Sequence, residues 1–434
     1  MSAEASELTS RVVIVGTGQA GGDLAAALRM AGHRGPITLV GDEPHLPYSR
    51  PPLSKAFLTG HTDEDAILLR DAQTYLTQNI TVRTGETVTE IDRAGHRIRV
   101  GEGWLGYDQL VLATGGRPRQ LTDASLTDAS NVFTLRTLAD ATRLRDAFAA
   151  GSRLVIVGGG YIGLEIASAA RQAGVEVTVL EAAERVLARV TSPVMSEFFE
   201  TLHREEGVRI VVNARISGFE TDEAGDVTAV LLGDGDTVLA DAVLVGIGLV
   251  PRTELAESSG LGVDNGILVD EHLRTSDPDV FAIGDVARHP DPQHQGLRRL
   301  ESVPNASEQA RIVAAAIVGT PRGYEALPWF WSDQYDCKLQ VAGLSIGYDA
   351  LIVRRWAESP RRVTVLYLRD GAVICADVVN NPAEFAIAKK LITTGALVDP
   401  RILADASVSL KTVMTPVGST AANDPSVGTG GSET

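Results

Sequence analysis

The sequence predicts an α/β protein: two open parallel-sheet units, each headed by a glycine-rich turn, followed by a smaller α+β module. Three observations carry this. Arg11–Gly21 reads RVVIVGTGQAG and Arg153–Gly163 reads RLVIVGGGYIG, each a β-branched run that ends in G-x-G-x-x-G and opens into an Ala-rich helical stretch. From Pro328 the pattern changes to alternating short strands. At 434 residues the chain is too long for one core and suits two or three domains.

The first unit runs from Arg11 to Val40 as strand, helix and strand. In a fingerprint of this kind Gly16 allows the tight turn, Gly18 lets a pyrophosphate approach the backbone, and Gly21 lets helix and strand pack closely. Gln19 and Ala20 open the helix, whose unpaired N–H groups and dipole face the phosphates. The strand Ile37–Val40 is followed by Gly41, Asp42 and Glu43. The ribose-binding acid is displaced by one residue from the simplest pattern, so either Asp42 or Glu43 fits, and this unit alone does not distinguish NAD from FAD. Leu46–Leu58 reads as a loop and then a helical turn begun by Pro52. Short strands are expected at Ile80–Val82 and Arg97–Val100. The apolar strand Gln109–Ala113 ends in a turn, Ala113, Thr114, Gly115 and Gly116, that brings backbone toward the cofactor face.

Thr137–Ala149 is a helix leading into the second unit, where Gly158, Gly160 and Gly163 repeat the three glycine roles and Tyr161 and Ile162 open the helix. One glycine-rich turn is a weak signal, because many α/β proteins that bind no nucleotide have one. The second copy adds a strand ending at Leu180 and then Glu181, the acid expected about 20 residues on. A carboxylate there accepts from both ribose hydroxyls and repels a 2′-phosphate. A lone Arg185 is a poor phosphate clamp, so this unit prefers NAD over NADP. Two dinucleotides on one chain suit passage of electrons between cofactors. A meander over Asp222–Leu239 and the strand Ala242–Val245 follow, ending at Gly246, Ile247 and Gly248. A further buried strand, Val280–Ile283, ends in Gly284 and Asp285, and Ser307–Val318 is helical. If the second unit is inserted in the first, Val280–Ile283 rejoins the first sheet, giving domains 1–117 with 253–327, 118–252 and 328–412. The stretch 413–434 reads as a disordered tail.

Composition narrows the class. Hydrophobic content of 44% with 5% aromatic is ordinary for an α/β protein. The polar N-terminus and the lack of an apolar run near the ~18 residues of a membrane span indicate a cytoplasmic chain. The net charge of −17 argues against nucleic acid and anionic membranes. Pro328–Lys411 holds ten Lys/Arg against nine Asp/Glu. Lys338, Arg354, Arg355, Lys389 and Lys390 form one docking patch for an acidic partner or are simply average surface charge. Cys337 and Cys375, 38 residues apart and outside any C-x-x-C, are expected as buried, unbridged thiols. No redox pair stands in the first half, and no metal site is expected. His289 and His294 read as solvated loop.

These motifs, with GDEPHLPYSRPPLSKAFL (Gly41–Leu58), ATGGRP (Ala113–Pro118), VFAIGDVA (Val280–Ala287), RLESVPNASEQAR (Arg299–Arg311) and PWFWSDQYDCKLQVAG (Pro328–Gly343), resemble the two-dinucleotide flavoprotein reductases shaped like glutathione reductase. More narrowly they are similar to the NADH-dependent ferredoxin reductases of oxygenase systems, up to about Lys411. The resemblance implies two Rossmann-like domains and a C-terminal α+β domain, with FAD on the first fingerprint and NADH on the second. It implies FAD contacts at Arg50, Lys55, Val88, Arg136, Asp285 and Val303, with Glu301 and Ser302 beside them. It implies catalytic parts for Lys55, for Glu165 as the partner of Lys55 and of the nicotinamide amide, and for Trp331 beside the flavin. By residue type alone Lys55 is a surface lysine, Glu165 a charge near a helix N-terminus, and Trp329 with Trp331 a packed pair. The implied partner is a [2Fe–2S] ferredoxin serving a cytochrome P450 or ring-hydroxylating oxygenase. The alternatives are an NADH:rubredoxin reductase, an NADH oxidase, and a redox-sensing protein like apoptosis-inducing factor. The missing Cys weighs against the oxidase, and the lack of a long insertion or basic surface weighs against the sensor.

Overall fold

Val12–Val15 (β1) is buried at every position, as expected of the central strand of a parallel sheet covered on both faces. In the computed structural model, which describes residues 8–126, 129–291, 294 and 296–413, that strand leads through Gly16 into the helix Gln19–Met30 (α1). The sheet has the order Val280–Ala282, Gln109–Leu112, β1, Ile37–Gly41 (β2), Ile80–Thr84. Val280–Ala282 pairs in parallel with Gln109–Leu112, Val280 opposite Leu110. The chain therefore leaves this sheet, builds a second one and returns. The tail expected over 413–434 lies, from residue 414, outside the described residues.

The second sheet repeats the first. Arg153–Val157 (β3) leads through Gly158 into Tyr161–Gln172 (α2), and Glu176–Leu180 (β4) lies parallel beside β3. The register is the same in both copies: Val15 pairs with Val40, and Val157 with Leu180. Pro193–Glu205 (α3) starts on Pro193 and buries Met195, Phe199, Leu202 and His203, a stripe at helical spacing. Val303–Ile317 (α4) begins earlier than the helix expected from Ser307, because Ser302 accepts from the Asn305 N–H and Pro304 suits the first turn. It packs along α1 on small residues, Ala20, Ala306 and Ala310 among them.

One sheet was largely missed. Val88–Asp92, Arg97–Val100 and Gly103–Gly106 form an antiparallel three-stranded sheet. Its outer face is charged, Arg97 and Arg99 flanking the Trp104 ring and pairing with Asp92 and Glu90. Arg97–Val100, where Ile98 and Val100 alternate with arginines, is the strand the sequence shows; Val88–Asp92 and Gly103–Gly106 lack that alternation. Trp329–Gln334 (β5) and Cys337–Gly343 (β6) form a hairpin in which Trp329 opposes Ala342 and Gln334 opposes Cys337.

Contacts divide the chain into two compact bodies, 1–342 and 343–434. The second has antiparallel strands Ala350–Arg355, Val363–Arg369 and Ala372–Val379 and the helix Pro382–Thr394, which Asn381 caps and Gly395 closes. Arg354 corrects the idea of a shared basic patch. It is 1% exposed, pairs with Glu384, and donates to the carbonyls of Leu403, Asp405 and Val408, so it fastens the last helices. Lys389 lies over the Phe385 ring.

The histidines expected in solvent are also corrected. His289 is buried on the strand Ala287–Asp291, edge-on to Tyr324, and burial lowers its pKa. His294 pairs with Asp291 at 3.0 Å. Both cysteines are buried and unbridged; burial, with Asp377 nearby, raises the Cys375 thiol well above its ordinary pKa. Among the described residues no helix is long and apolar enough to cross a membrane.

Candidate functional site

Each fingerprint is pinned by its first glycine. A Cβ on Gly16 (φ +122°) would lie 2.2 Å from the Ala113 carbonyl oxygen, and one on Gly158 (φ +111°) 2.5 Å from that of Gly246. Each turn is thus pressed against the turn after its neighbouring strand, the Ala113–Gly115 stretch in one copy and Gly246–Gly248 in the other. A Cβ on Gly21 or Gly163 would likewise lie 2.0 or 2.3 Å from the carbonyl oxygen of Gly16 or Gly158. The middle glycines differ from these. Nothing lies within 4 Å of a Cβ on Gly160, and only Arg50 Nη2 at 4.0 Å from one on Gly18. Gly18 and Gly160 are the N-caps of α1 and α2, and neither helix has a side-chain cap. Open space in front of uncapped N–H groups fits a phosphate group. Ile162 stands half exposed there.

The two copies part company at the acid. In the second, Glu181 accepts from the N–H groups of Gly159 (2.7 Å) and Ala183 (2.8 Å). In the first, register puts Gly41 where Glu181 stands and Thr17 where Gly159 stands. A Cβ on Gly41 would lie 2.1 Å from Thr17 Oγ1. The threonine fills the space a carboxylate would need, which accounts physically for the displaced acid. Of the two candidates, Glu43 is held from both sides, by Arg50 at 2.5 Å and by the Tyr48 hydroxyl at 2.5 Å. Asp42 meets Arg252 at 2.8 Å and is far more exposed.

Around the first turn the charged groups form one connected set. Arg50 also reaches the Arg136 carbonyl, and Arg136 pairs with Asp285 at 2.9 Å. Burial opposes the Arg50 charge, but Tyr48, Glu43 and Asp285 outweigh it and raise its pKa. Burial raises the Tyr48 hydroxyl. Gly284 donates to Gln309 Oε1 at 2.7 Å and packs on Ala20. Arg299 donates to the Asp285 carbonyl at 2.9 Å and to Glu301. Arg299 Nε and Gln309 Nε2 are buried donors without an acceptor, which fits an oxygen-rich ligand beside the Gly284–Asp285 turn. Thr114 is tied to the Arg252 carbonyl, and Arg136 lies beside Gly115. Ser302 and Val303 start α4. Val88 turns its side chain into the apolar core, and Ile247 packs half-buried on the second unit's core.

Lys55 and Glu165 meet. Lys55 Nζ lies 2.5 Å from Glu165 Oε2, although the residues are 110 positions apart. The Ser54 hydroxyl donates to the same oxygen at 2.5 Å, and Ser332 donates to Oε1 at 2.6 Å. Glu165 is 5% exposed. The placement follows from two periodicities. Tyr161, Glu165 and Ser168 make a stripe on α2, and Phe330, Ser332 and Gln334 alternate along the facing side of β5. Phe330 stacks edge-on against Tyr161 at 4.8 Å, and Ser168 accepts from the Tyr335 N–H. The other side of β5 carries Trp329 and Trp331, with ring centroids 5.8 Å apart. The sequence reading missed Tyr48, Ser54, Arg299, Ser332, Gln334 and His203. Only Ser332 and Gln334 left a signal, as polar residues at strand spacing inside an aromatic segment.

The profile of the family described as pyridine nucleotide-disulphide oxidoreductase matches residues 10–310, and that described as reductase C-terminal matches 329–414. The chain is 48% identical over 408 residues to putidaredoxin reductase of Pseudomonas putida, covering 93% of this chain and 96% of that protein. It is 45% identical over 403 residues to rhodocoxin reductase of Rhodococcus erythropolis, covering 92% and 93%. The crystal structure of the covalent putidaredoxin reductase–putidaredoxin complex matches with a TM-score of 0.90 over 93% of this chain and 98% of that one, at 48% identity.

Proposed function

Because the chain belongs to the pyridine nucleotide-disulphide oxidoreductase family, we propose that it is an FAD-containing reductase. It passes electrons from NADH to a [2Fe–2S] ferredoxin that serves a cytochrome P450 or a ring-hydroxylating oxygenase. The observation that carries this reading is the pair of uncapped, glycine-rich helix starts on two sheets of one body, with Glu165 of the second helix paired to Lys55. FAD, when bound, supplies the step from hydride to single electrons.

This chain's residues bind, orient and supply charge. The first turn of α1 (Gln19 and Ala20), Arg50 and Arg136 would hold the FAD pyrophosphate, and Asp285 would hold the polyol. Asp42, with acceptor capacity left, takes the adenosine ribose, while Glu43 anchors Arg50. The first turn of α2 (Tyr161 and Ile162) faces the NADH pyrophosphate. Glu181, fixed by two backbone N–H groups, accepts from the ribose and repels a 2′-phosphate. Lys55 would supply an ammonium to a reduced, anionic flavin, a preorganised electrostatic contribution; Glu165 holds the Lys55 ammonium and Trp331 would supply an aromatic wall. The reading places the chain in the cytoplasm, where NADH is replenished.

The test compares NADH oxidation with a [2Fe–2S] ferredoxin present against oxygen alone. A large ferredoxin-dependent increase is expected. Rapid loss of NADH to oxygen alone would make the protein an oxidase. Flavin bleaching with slow turnover to both would point to another acceptor or to a sensing protein.

A further inference from the structure

The Glu165 carboxylate is the end of a longer buried arrangement. Gln334 Nε2 donates to Ser332 Oγ at 3.1 Å, and Gln334 Oε1 lies 2.9 Å from His203 Nε2. The Tyr335 hydroxyl lies 3.3 Å from His203 Nδ1, with the two rings edge-on at 5.1 Å. Ser332, Gln334 and His203 are each 0% exposed. We propose that Tyr335, His203, Gln334 and Ser332 form a one-way hydrogen-bond relay that positions the Glu165 carboxylate against Lys55.

The direction follows from the donor inventory. Gln334 gives its amide N–H to Ser332, so its oxygen faces His203 and the imidazole carries its proton on Nε2. Nδ1 is then an acceptor, and Tyr335 donates to it. Ser332, already accepting from Gln334, has its single proton left for Glu165. Every donor therefore points toward one carboxylate, and bonds aligned in this way polarise one another in a low-dielectric interior. Burial pushes the His203 pKa down to about 4, which keeps the ring neutral at ordinary pH, and the Gln334 and Tyr335 contacts fix its tautomer. The charged groups near the far end are Glu206, on the segment after α3, and Arg171 of α2. At the near end Lys55 is the charge on Glu165. The relay residues are positioning residues: none touches the reacting atoms, and they act through Glu165 and Lys55. The inference rests on the reductase reading.

Two measurements test it. The first needs no turnover: nitrogen NMR of histidine-labelled protein should place His203 in the Nε2–H neutral form at pH 6. Gln334→Leu should weaken that preference. A protonated ring or the Nδ1–H tautomer in the parent protein would overturn the relay. The second follows anaerobic bleaching of the bound flavin by NADH in a stopped-flow instrument. Gln334→Leu and Ser332→Ala should each lower the limiting rate about tenfold, leave half-saturation by NADH within about twofold, and move the flavin potential to more negative values. Ser332→Thr, which keeps the hydroxyl, should restore most of the rate and the potential. Variants matching the parent in rate and potential would refute the relay while leaving the reductase reading intact. A parent whose flavin NADH does not bleach would refute that reading and the relay with it.

Discussion

In the proposed reductase Glu181 makes the nucleotide choice at the level of one side chain. Its two oxygens are held by the N–H groups of Gly159 and Ala183, so the carboxylate is fixed before any ligand arrives. Preorganisation of that kind raises affinity without touching the chemical step. Glu181→Ala should therefore raise KM for NADH by about ten- to a hundredfold with kcat within about twofold, since a lost charge-assisted hydrogen bond is worth roughly 1.5–3 kcal/mol. The penalty against NADPH should shrink in the same variant, because the repulsion of a 2′-phosphate goes with the charge. Steady-state kinetics with both nucleotides decides it; an unchanged KM for NADH would remove Glu181 from the site. Lys55 teaches a different lesson. Residue type made it a surface lysine, and it is drawn inward by a carboxylate 110 positions away that two serines hold in place. That pairing came from the family resemblance and could not have come from spacing.

Among elements, the strand–turn–helix–strand unit carries its own test. Thr17 with Gly41 in the first copy, and Gly159 with Glu181 in the second, are two solutions to one packing position. Gly41→Ala drives a methyl to within 2.1 Å of Thr17 Oγ1, and overpacking of this sort costs roughly 1–3 kcal/mol. The apparent melting temperature should fall in Gly41→Ala and recover most of the loss in Thr17→Gly/Gly41→Ala. A double variant as unstable as the single one would show that the clash is not with Thr17. Both β-α-β units were readable because their chemistry is local: a glycine with positive φ, a close helix and an acid all lie within about 30 residues. The return of Val280–Ala282 to the first sheet was readable as a consequence of insertion. Of the sheet Val88–Gly106 only Arg97–Val100 was readable, because a register shift puts the buried Val88 and Ile91 off strand alternation and Gly103–Gly106 has no buried position, its Trp104 being flanked by arginines. His203 was hidden for a further reason. Its partners are 131 and 132 positions away on a hairpin, and nothing in α3 marks Ser196 and His203 as its buried polar residues.

Across the whole molecule the buried imidazoles set a response to acid. His203 and His289 are both neutral in the fold, His203 with a pKa near 4 and His289 lowered, and in each burial is the largest cause. In the unfolded chain both titrate near 6.5. As pH falls below 6.5 the unfolded state takes up protons that the folded state refuses, so stability falls. For His203 the fall continues until about pH 4, where the folded ring also protonates, and it amounts to about 3 kcal/mol in all. The exposed carboxylates behave oppositely in range. Asp108 and Asp241 are held below the usual carboxylate range by hydrogen bonds from Arg11 and Arg153. Their contribution is intact above about pH 4 and is lost only below it, and exposure keeps it small. The two windows can be separated. The urea midpoint should decline from pH 7 to pH 4.5, before the carboxylates matter. His203→Phe removes one titrating ring, so its midpoint should lie lower at pH 7 for want of the Gln334 bond yet change less steeply with pH. The slope and not the level is the readout. A variant with the parent's slope would mean that His203 is protonated in the fold over that range, and the neutral tautomer on which the relay depends would fall with it.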